Sequence, residues 1–128
     1  MARILIAEDE DSLRHLVARA LSLDGHRVMT ANDGAEALDL LAREHGAFEL
    51  LLTDIRMPVM DGIALALAAA RDHPQVAILL MTGYADQRER AHGLEALIHD
   101  VIAKPFSLIT IRSAINDALV GSGGRAMH

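Results

Sequence analysis

Apolar residues fall into two alternating kinds of segment along the chain. Short, nearly continuous aliphatic runs, typical of buried parallel strands, occupy residues 3–8, 27–31, 48–53, 76–81 and 101–103. Between them, apolar residues recur at helical spacing over residues 11–23, 34–45, 61–72, 85–97 and 107–120. Because strands and helices alternate and crossovers between parallel strands are right-handed, the pattern predicts an α/β fold: a doubly wound, five-stranded parallel sheet between two helical layers.

The same spacing predicts which helical residues face the core. The expected stripes are Leu13, Leu16, Val17, Ala20 and Leu21 in the first helix, Ala35, Leu38, Leu41 and Ala42 in the second, and Leu108, Ile111, Ile115 and Leu119 in the last. Polar residues just before these stripes are candidate N-caps, namely Asp11, Asn32 or Asp33, and Ser107.

The composition indicates one domain with an aliphatic core. A chain of 128 residues is the size of a single domain. We expect that domain over residues 1–120, followed by a flexible, Gly-rich tail over residues 121–128. Apolar residues make up 52% of the chain but aromatic residues only 2%, so the core must be built from Leu, Ile, Val, Ala and Met.

Charge and hydropathy exclude several classes of function. The formal net charge is −6 and no block of basic residues stands out, which argues against binding to nucleic acid. No apolar run approaches the roughly 20 residues of a membrane span, and the first ten residues do not have the pattern of a signal peptide. The absence of cysteine excludes disulfides and thiol chemistry. We therefore expect a cytoplasmic protein with no nucleic-acid or membrane partner.

Acidic residues follow two of the predicted strands. In a sheet of order 2-1-3-4-5, ligands bind beyond the carboxyl ends of strands 1 and 3, where the strand order reverses. Strand 1 ends at Glu8 and Asp9, and strand 3 ends at Asp54. Three carboxylates this close repel one another unless a cation neutralises them, and carboxylate oxygens are ligands that Mg²⁺ prefers. The sequence therefore predicts a magnesium site at this edge.

The next two strands end in a hydroxyl and an ammonium group. Strand 4 ends at Thr82, and strand 5 is followed by Lys104 and Pro105. Lys104 is the only lysine among twelve basic residues, which suggests that arginine is not an acceptable substitute there. Each of these groups alone is more often structural, but their combination on four strand ends favours one functional site.

The motifs "LIAEDE", "LLLTDIRMPVMDG", "LLMTGYA" and "IAKPF" carry a resemblance to a known family. Over residues 2–120 the chain resembles the bacterial response-regulator receiver domain, which has the CheY-like, flavodoxin-like fold. The resemblance implies a signalling switch of a two-component system. Such a protein takes a phosphoryl group onto an aspartate with Mg²⁺ and catalyses only its own phosphotransfer and dephosphorylation.

The resemblance implies a role for each motif position. Asp54 would be the phosphoryl acceptor, and Glu8 and Asp9 the acidic pair that binds Mg²⁺ together with Asp54 and the backbone carbonyl of Arg56. Thr82 matches the switch hydroxyl and Lys104 the lysine of the family motif. Pro58 and Gly62 would shape the loop after the acceptor, and Pro105 would follow a cis peptide bond.

The chain departs from the family pattern at the switch aromatic. Receivers often carry Tyr or Phe three residues before the lysine, where this chain has Val101. Tyr84, two residues after Thr82, is the nearest aromatic residue by sequence and is a hypothetical substitute.

The resemblance also implies partners. The phosphoryl donor would be a sensor histidine kinase or phosphotransferase, and the switched form would bind an output protein. We expect a stand-alone receiver, as a monomer or weak dimer. Its motifs are similar to those of CpdR-type regulators of alphaproteobacteria, which act as adaptors for the ClpXP protease.

Several alternatives stay open from the sequence. The chain could be a phosphorelay carrier, a motor-type regulator, or a receiver cut from a larger regulator or hybrid kinase. A Mg²⁺-dependent phosphatase with Asp54 as nucleophile is disfavoured because the second aspartate of the haloacid-dehalogenase type is replaced by Arg56. A nucleotide- or flavin-binding module is disfavoured because no Gly-rich loop follows the first strand.

Overall fold

Five parallel strands form the centre of the molecule. The computed structural model of the protein describes residues 2–83, 91 and 93–126. The strands are β1 (Arg3–Ala7), β2 (Arg27–Ala31), β3 (Leu50–Asp54), β4 (Ala77–Thr82) and β5 (Asp100–Ala103). They pair in the order β2-β1-β3-β4-β5, all parallel, which confirms the predicted doubly wound topology.

Four helices cover the sheet in the part of the chain that is described. They are α1 (Asp11–Leu23), α2 (Gly34–Arg43), α3 (Gly62–Asp72) and α4 (Leu108–Ala126). The helix predicted over residues 85–97 lies largely outside the described residues. Its described end, residues 93–97, contains turns rather than helix, and Gly93 has a left-handed φ of 101°. No helix among the described residues is long and apolar enough to cross a membrane.

Alternate residues of each strand face opposite layers, as the pleat requires. On one face, strand residues such as Leu5, Leu51 and Leu80 pack in a cluster with α2 and α3. On the other face, residues such as Ile6 and Leu52 pack in a cluster with α1 and α4. The strands between two covered faces are mostly aliphatic, with polar residues at their carboxyl ends, and β3 and β4 are buried along their whole length.

The predicted helix stripes have the right period but are in part rotated. In α1, Leu16 is 51% exposed, and Arg14 is buried beside Val17 and Leu21. In α2 the buried residues are Gly34, Ala37, Leu40 and Leu41, so the expectation for Ala35 and Ala42 was wrong. Spacing alone defines a stripe of roughly 100°, and the contacts with the sheet decide which edge of that stripe is covered.

Two of the predicted caps form and one does not. The Asp33 side chain accepts a hydrogen bond from the Glu36 amide at the start of α2, and Ser107 Oγ accepts one from the Thr110 amide at the start of α4. Asp11 is the first residue of α1 rather than its N-cap, and its carboxylate binds the Arg14 guanidinium instead.

Helix α4 runs to Ala126, into the segment for which the sequence predicts a flexible tail. Glycine disfavours a helix by only about 1 kcal/mol per residue relative to alanine, so a Gly-rich composition does not by itself end a helix. The domain boundary at residue 120 stays a prediction.

Candidate functional site

The site forms where β1 and β3 lie side by side. Ala7 is in register with Thr53, so the residues that follow, Glu8 and Asp54, reach the same edge of the sheet. On the other side of β3, Asp54 is in register with Met81, and Thr82 of β4 is in register with Ala103 of β5. The last residue of β3 and of β4 and the residue after β1 and after β5 are therefore brought to one edge, as the sequence predicts.

Glu8, Asp9 and Asp54 place one carboxylate oxygen each within 4.8 Å of the others. Glu8 is only 1% exposed and Asp54 only 6%, whereas Asp9 is exposed to solvent. Two buried carboxylates and one open to solvent form a shallow acidic site with an accessible side. Among the described residues this is the one cluster of acidic or histidine side chains close enough to hold a metal ion.

Lys104 bridges the two buried carboxylates. Its Nζ lies 2.9 Å from Glu8 Oε1 and 3.2 Å from Asp54 Oδ2. Its backbone amide donates to the carbonyl of Thr82 at 2.7 Å, which attaches the lysine to the end of β4, and the Lys104–Pro105 peptide bond is cis. A compact ammonium with three donors can bind two carboxylates from different strands, whereas the planar fork of arginine favours one bidentate partner.

Burial dominates the acidity of these groups. Desolvation raises the pKa of Glu8 to about 7, and the hydrogen bond from Lys104 offsets this shift only in part, while the charge of Asp54 adds to it. Desolvation likewise raises the pKa of Asp54, against the opposing effect of Lys104. Burial alone would lower the pKa of Lys104, but its bonds to Glu8 and Asp54 outweigh burial and raise it. The positive charge of one lysine therefore does not fully offset the effect of burial on the pKa values of Glu8 and Asp54.

The donor set fits a hard divalent cation. Three carboxylates against one ammonium leave a local excess of negative charge when the acids are ionised. Burial raises the pKa of Glu8, and a bound cation would offset that cost by stabilising the ionised carboxylate. Mg²⁺ binds through one or two carboxylates and keeps several waters, which a partly open acidic site accommodates. Glu8, Asp9 and Asp54 are the residues that would hold it.

A cavity of about 740 Å³ opens in front of the acids. Its polar residues include Glu8, Asp9, Asp54, Arg56 and Lys104, and its other lining residues are Glu10, Leu13, Gly83, Pro105 and Phe106. The apolar wall formed by Leu13 and Phe106 was not predicted from the sequence. Leu13 follows Asp9, and Phe106 follows Lys104, by only a few positions in the sequence. That proximity is the signal that could have identified them.

The loop after Asp54 is packed tightly against the end of β3. The Gly62 amide donates to the Ile55 carbonyl at 2.7 Å, and Asp61 caps α3 by accepting from the Ala64 amide at 2.9 Å. A Cβ at Gly62 would lie 2.0 Å from the Asp54 carbonyl oxygen. Gly62 is therefore required by the close approach of α3 to the backbone of Asp54, whereas Pro58 is exposed at the tip of the loop.

The burial of Arg14 beside the site was not predicted from the sequence. Arg14 is 7% exposed and is the one buried basic residue in the described part of the chain. Its Nη1 donates to the Glu8 carbonyl at 2.9 Å, and its Nη2 binds Asp11. The available signal was a charged residue on the core-facing stripe of α1, three positions after an acid.

The remaining predicted residues lie close to the acids or fall outside the described chain. Thr82 is buried at the end of β4, next to Gly83 of the cavity wall, and the Arg56 side chain is exposed at the rim. Val101 is half-buried in β5 and packs against the core on the side of α2 and α3. Tyr84 lies outside the described residues, so its proposed substitution for the switch aromatic stays a hypothesis.

The strand order, with three acids and a lysine where that order reverses, is that of a doubly wound α/β domain, a class in which ligand sites lie beyond the carboxyl ends of the strands. A family model described as response regulator receiver domain matches residues 4–116. The chain belongs to that family, the receiver domains of two-component response regulators, which interact with histidine kinases and output partners.

Several known proteins are similar to this chain. The response regulator receiver protein CpdR of Brucella abortus is 37% identical over 122 residues, which cover 95% of this chain and 100% of that protein. A CheY-like receiver domain protein from Methanospirillum hungatei superposes with a TM-score of 0.89 at 27% identity, covering 98% of each chain.

The response regulator TrrA from Thermotoga maritima was solved in complex with Mg²⁺-BeF. It superposes with a TM-score of 0.80 at 27% identity, covering 93% of this chain and 100% of that chain. By contrast, this chain spans only about a quarter to a half of the length of several curated relatives that it matches.

Proposed function

We propose that Asp54 is the phosphoryl acceptor of this receiver domain and that Glu8 and Asp9 hold Mg²⁺ beside it. The observation that carries the proposal is the position of Asp54: a nearly buried carboxylate, 3.2 Å from the Lys104 ammonium, that lines an open cavity with two more acids. A buried acid with a perturbed pKa and a specific charge partner, lining a cleft, is typical of a functional site.

The reaction is a nucleophilic displacement at phosphorus. One oxygen of the Asp54 carboxylate attacks, the bond from phosphorus to the donor's leaving group breaks, and an acyl phosphate forms on Asp54. With a phosphohistidine donor the leaving group is the imidazole, which takes up a proton. The Asp54 Oδ1 atom already accepts a hydrogen bond from the Ile55 amide at 3.0 Å, which orients the carboxylate and leaves Oδ2 toward Lys104.

Lys104 changes partner during this reaction. Before transfer it binds Asp54 and Glu8, and after transfer its ammonium can bind a phosphoryl oxygen at the same strand end. Bound Mg²⁺ would supply positive charge that stabilises the phosphoryl oxygens. The Arg56 carbonyl is proposed as a further ligand and the Thr82 hydroxyl as the group that senses the phosphoryl group.

The proposed role is a cytoplasmic signalling switch whose phosphorylation changes its affinity for an output protein. The donor would be a sensor histidine kinase or a phosphotransferase. The similarity to CpdR along nearly the whole chain supports an adaptor-type output, with delivery of substrates to the ClpXP protease as the specific hypothesis. Capture of ClpX with and without beryllofluoride would test that hypothesis directly.

Intact-mass spectrometry after incubation with acetyl phosphate and Mg²⁺ tests the acceptor. We expect one added phosphoryl group in the parent protein and none in Asp54→Asn or with excess chelator. Asp39→Asn, an exposed acid on α2, is the matched control and should gain the group as the parent does. A phosphoryl group that persists in Asp54→Asn would refute the assignment. Turnover of a phosphate ester, which is not a phosphoryl donor for a receiver, would favour a phosphatase instead.

A further inference from the structure

Among the basic residues that the structure describes, Arg14 is unusual because its side chain is buried. A guanidinium cannot lose its charge in a protein, so burying it is costly unless its donors are satisfied. Arg14 is 7% exposed, whereas Arg19 on the same helix is exposed. A side chain placed this way at such a cost points to a specific task near its partners.

The partners of Arg14 lie on both sides of a proposed metal ligand. Nη1 donates to the Glu8 carbonyl at 2.9 Å, and Nη2 binds the carboxylate of Asp11. Residues 8 and 11 flank Asp9 in sequence, and Asp9 is exposed to solvent. The guanidinium therefore connects the two ends of the turn between β1 and α1. Asp9, which supplies the solvent-facing side of the cation site, lies within that turn.

Arg14 does not belong to the described lining of the cavity. It reaches the turn from the side of the core, through a backbone carbonyl and the first residue of α1. We propose that Arg14 is a positioning residue for the cation site: its fork fixes the Glu8–Asp9 turn so that both carboxylates meet Asp54 within 4.8 Å. This inference rests on the proposed function, because it assigns Arg14 to the same Mg²⁺ site.

Calorimetric titration with Mg²⁺ alone, on the full chain in phosphate-free buffer, tests the inference. Residues that orient metal ligands typically contribute about 10- to 100-fold to metal affinity. We expect Arg14→Met to weaken Mg²⁺ binding at least about tenfold. Arg14→Lys keeps the charge but cannot bind both partners with one fork, and we expect it to restore part of the affinity. Arg19→Met, which removes one charge from the same helix, should bind as the parent does.

Urea unfolding in the presence of a chelator, followed by circular dichroism, separates positioning from general destabilisation. A purely structural role would lower the unfolding midpoint of Arg14→Met and leave the Mg²⁺ affinity of the folded protein within about twofold of the parent, which would overturn the inference. If Arg14→Met does not fold, Arg14→Lys decides, and parental affinity in that variant would overturn it. If the parent itself binds no Mg²⁺, the proposed function fails and this inference fails with it.

Discussion

Replacement of Gly62 by alanine tests how tightly α3 packs on the phosphoryl-acceptor strand. Helix propensity alone predicts a gain of up to about 1 kcal/mol, because alanine is favoured over glycine in a helix. The structure predicts the opposite sign. The new Cβ would lie 2.0 Å from the Asp54 carbonyl oxygen and 2.9 Å from the Ile55 Cα.

The magnitude follows from which atoms must move. Both are main-chain atoms at the end of a fully buried strand, so no flexible side chain can turn away, and a separation near 3 Å requires a shift of about 1 Å or more. Overpacking of a rigid core typically costs about 1–3 kcal/mol. Because only main-chain atoms could move, we take the upper end of that range, about 3 kcal/mol, and subtract about 1 kcal/mol for propensity. We therefore expect Gly62→Ala to lower the free energy of unfolding by about 2 kcal/mol. That corresponds to a fall in Tm of roughly 6–10 °C for a domain of this size.

Chemical and thermal unfolding followed by circular dichroism measures this effect. Gly83→Ala is the matched control near the same site, because a Cβ there would make ordinary contacts of 3.9 Å with the Lys104 side chain. We expect it to stay within about 0.5 kcal/mol of the parent. Phosphorylation of Gly62→Ala by acetyl phosphate should also slow, since the Asp54 backbone is displaced. An equal or higher stability of Gly62→Ala would refute the reasoning.

Three further predictions concern charge and backbone strain. Burial raises the pKa of Glu8 in the folded state from 4.5 to about 7, so its ionisation opposes folding increasingly as the pH rises from about 5 to 8. In chelator, the free energy of unfolding of Glu8→Gln should therefore rise by up to about 3 kcal/mol relative to the parent across that range. A pH-independent difference in urea unfolding would contradict this. Lys104→Ala removes the ammonium that competes with Mg²⁺ for Glu8 and Asp54, so calorimetry should show Mg²⁺ binding strengthened by roughly 1–2 kcal/mol. Acetyl phosphate should phosphorylate this variant more slowly. An unchanged Mg²⁺ affinity would exclude competition. Val59 has a left-handed φ of 69°, which is strained for a residue with a Cβ, and 84% of its surface is exposed. Val59→Gly should therefore raise the free energy of unfolding by about 1 kcal/mol, whereas Val59→Ala, which keeps a Cβ, should not. Equal effects of the two substitutions would argue against backbone strain.

The fold could be predicted from the sequence because its signals are local. Aliphatic runs alternate with helical spacing, and one order of strands puts the acids at a common edge. The observed order β2-β1-β3-β4-β5 agrees, and the first helix has the predicted bounds at Asp11–Leu23. Asp54 could be identified for the same reason, because an acid at the end of a buried strand is visible in the sequence without any distance.

The contacts of Lys104 and Gly62 were decided by the tertiary structure. Lys104 and Glu8 are 96 positions apart, and their 2.9 Å contact depends on the register of four strands. The close approach of Gly62 to the Asp54 backbone depends on how α3 sits on the sheet.

The burial of Arg14 was likewise invisible in the periodicity. A helical repeat fixes the spacing of a stripe but not its rotation against the sheet, so the sequence favoured Leu16 where the structure buries Arg14. The sequence by itself determined the elements, their order and the chemical groups at the strand ends. Only the tertiary structure decided which groups touch, because packing between elements distant in sequence sets distances that no local pattern contains.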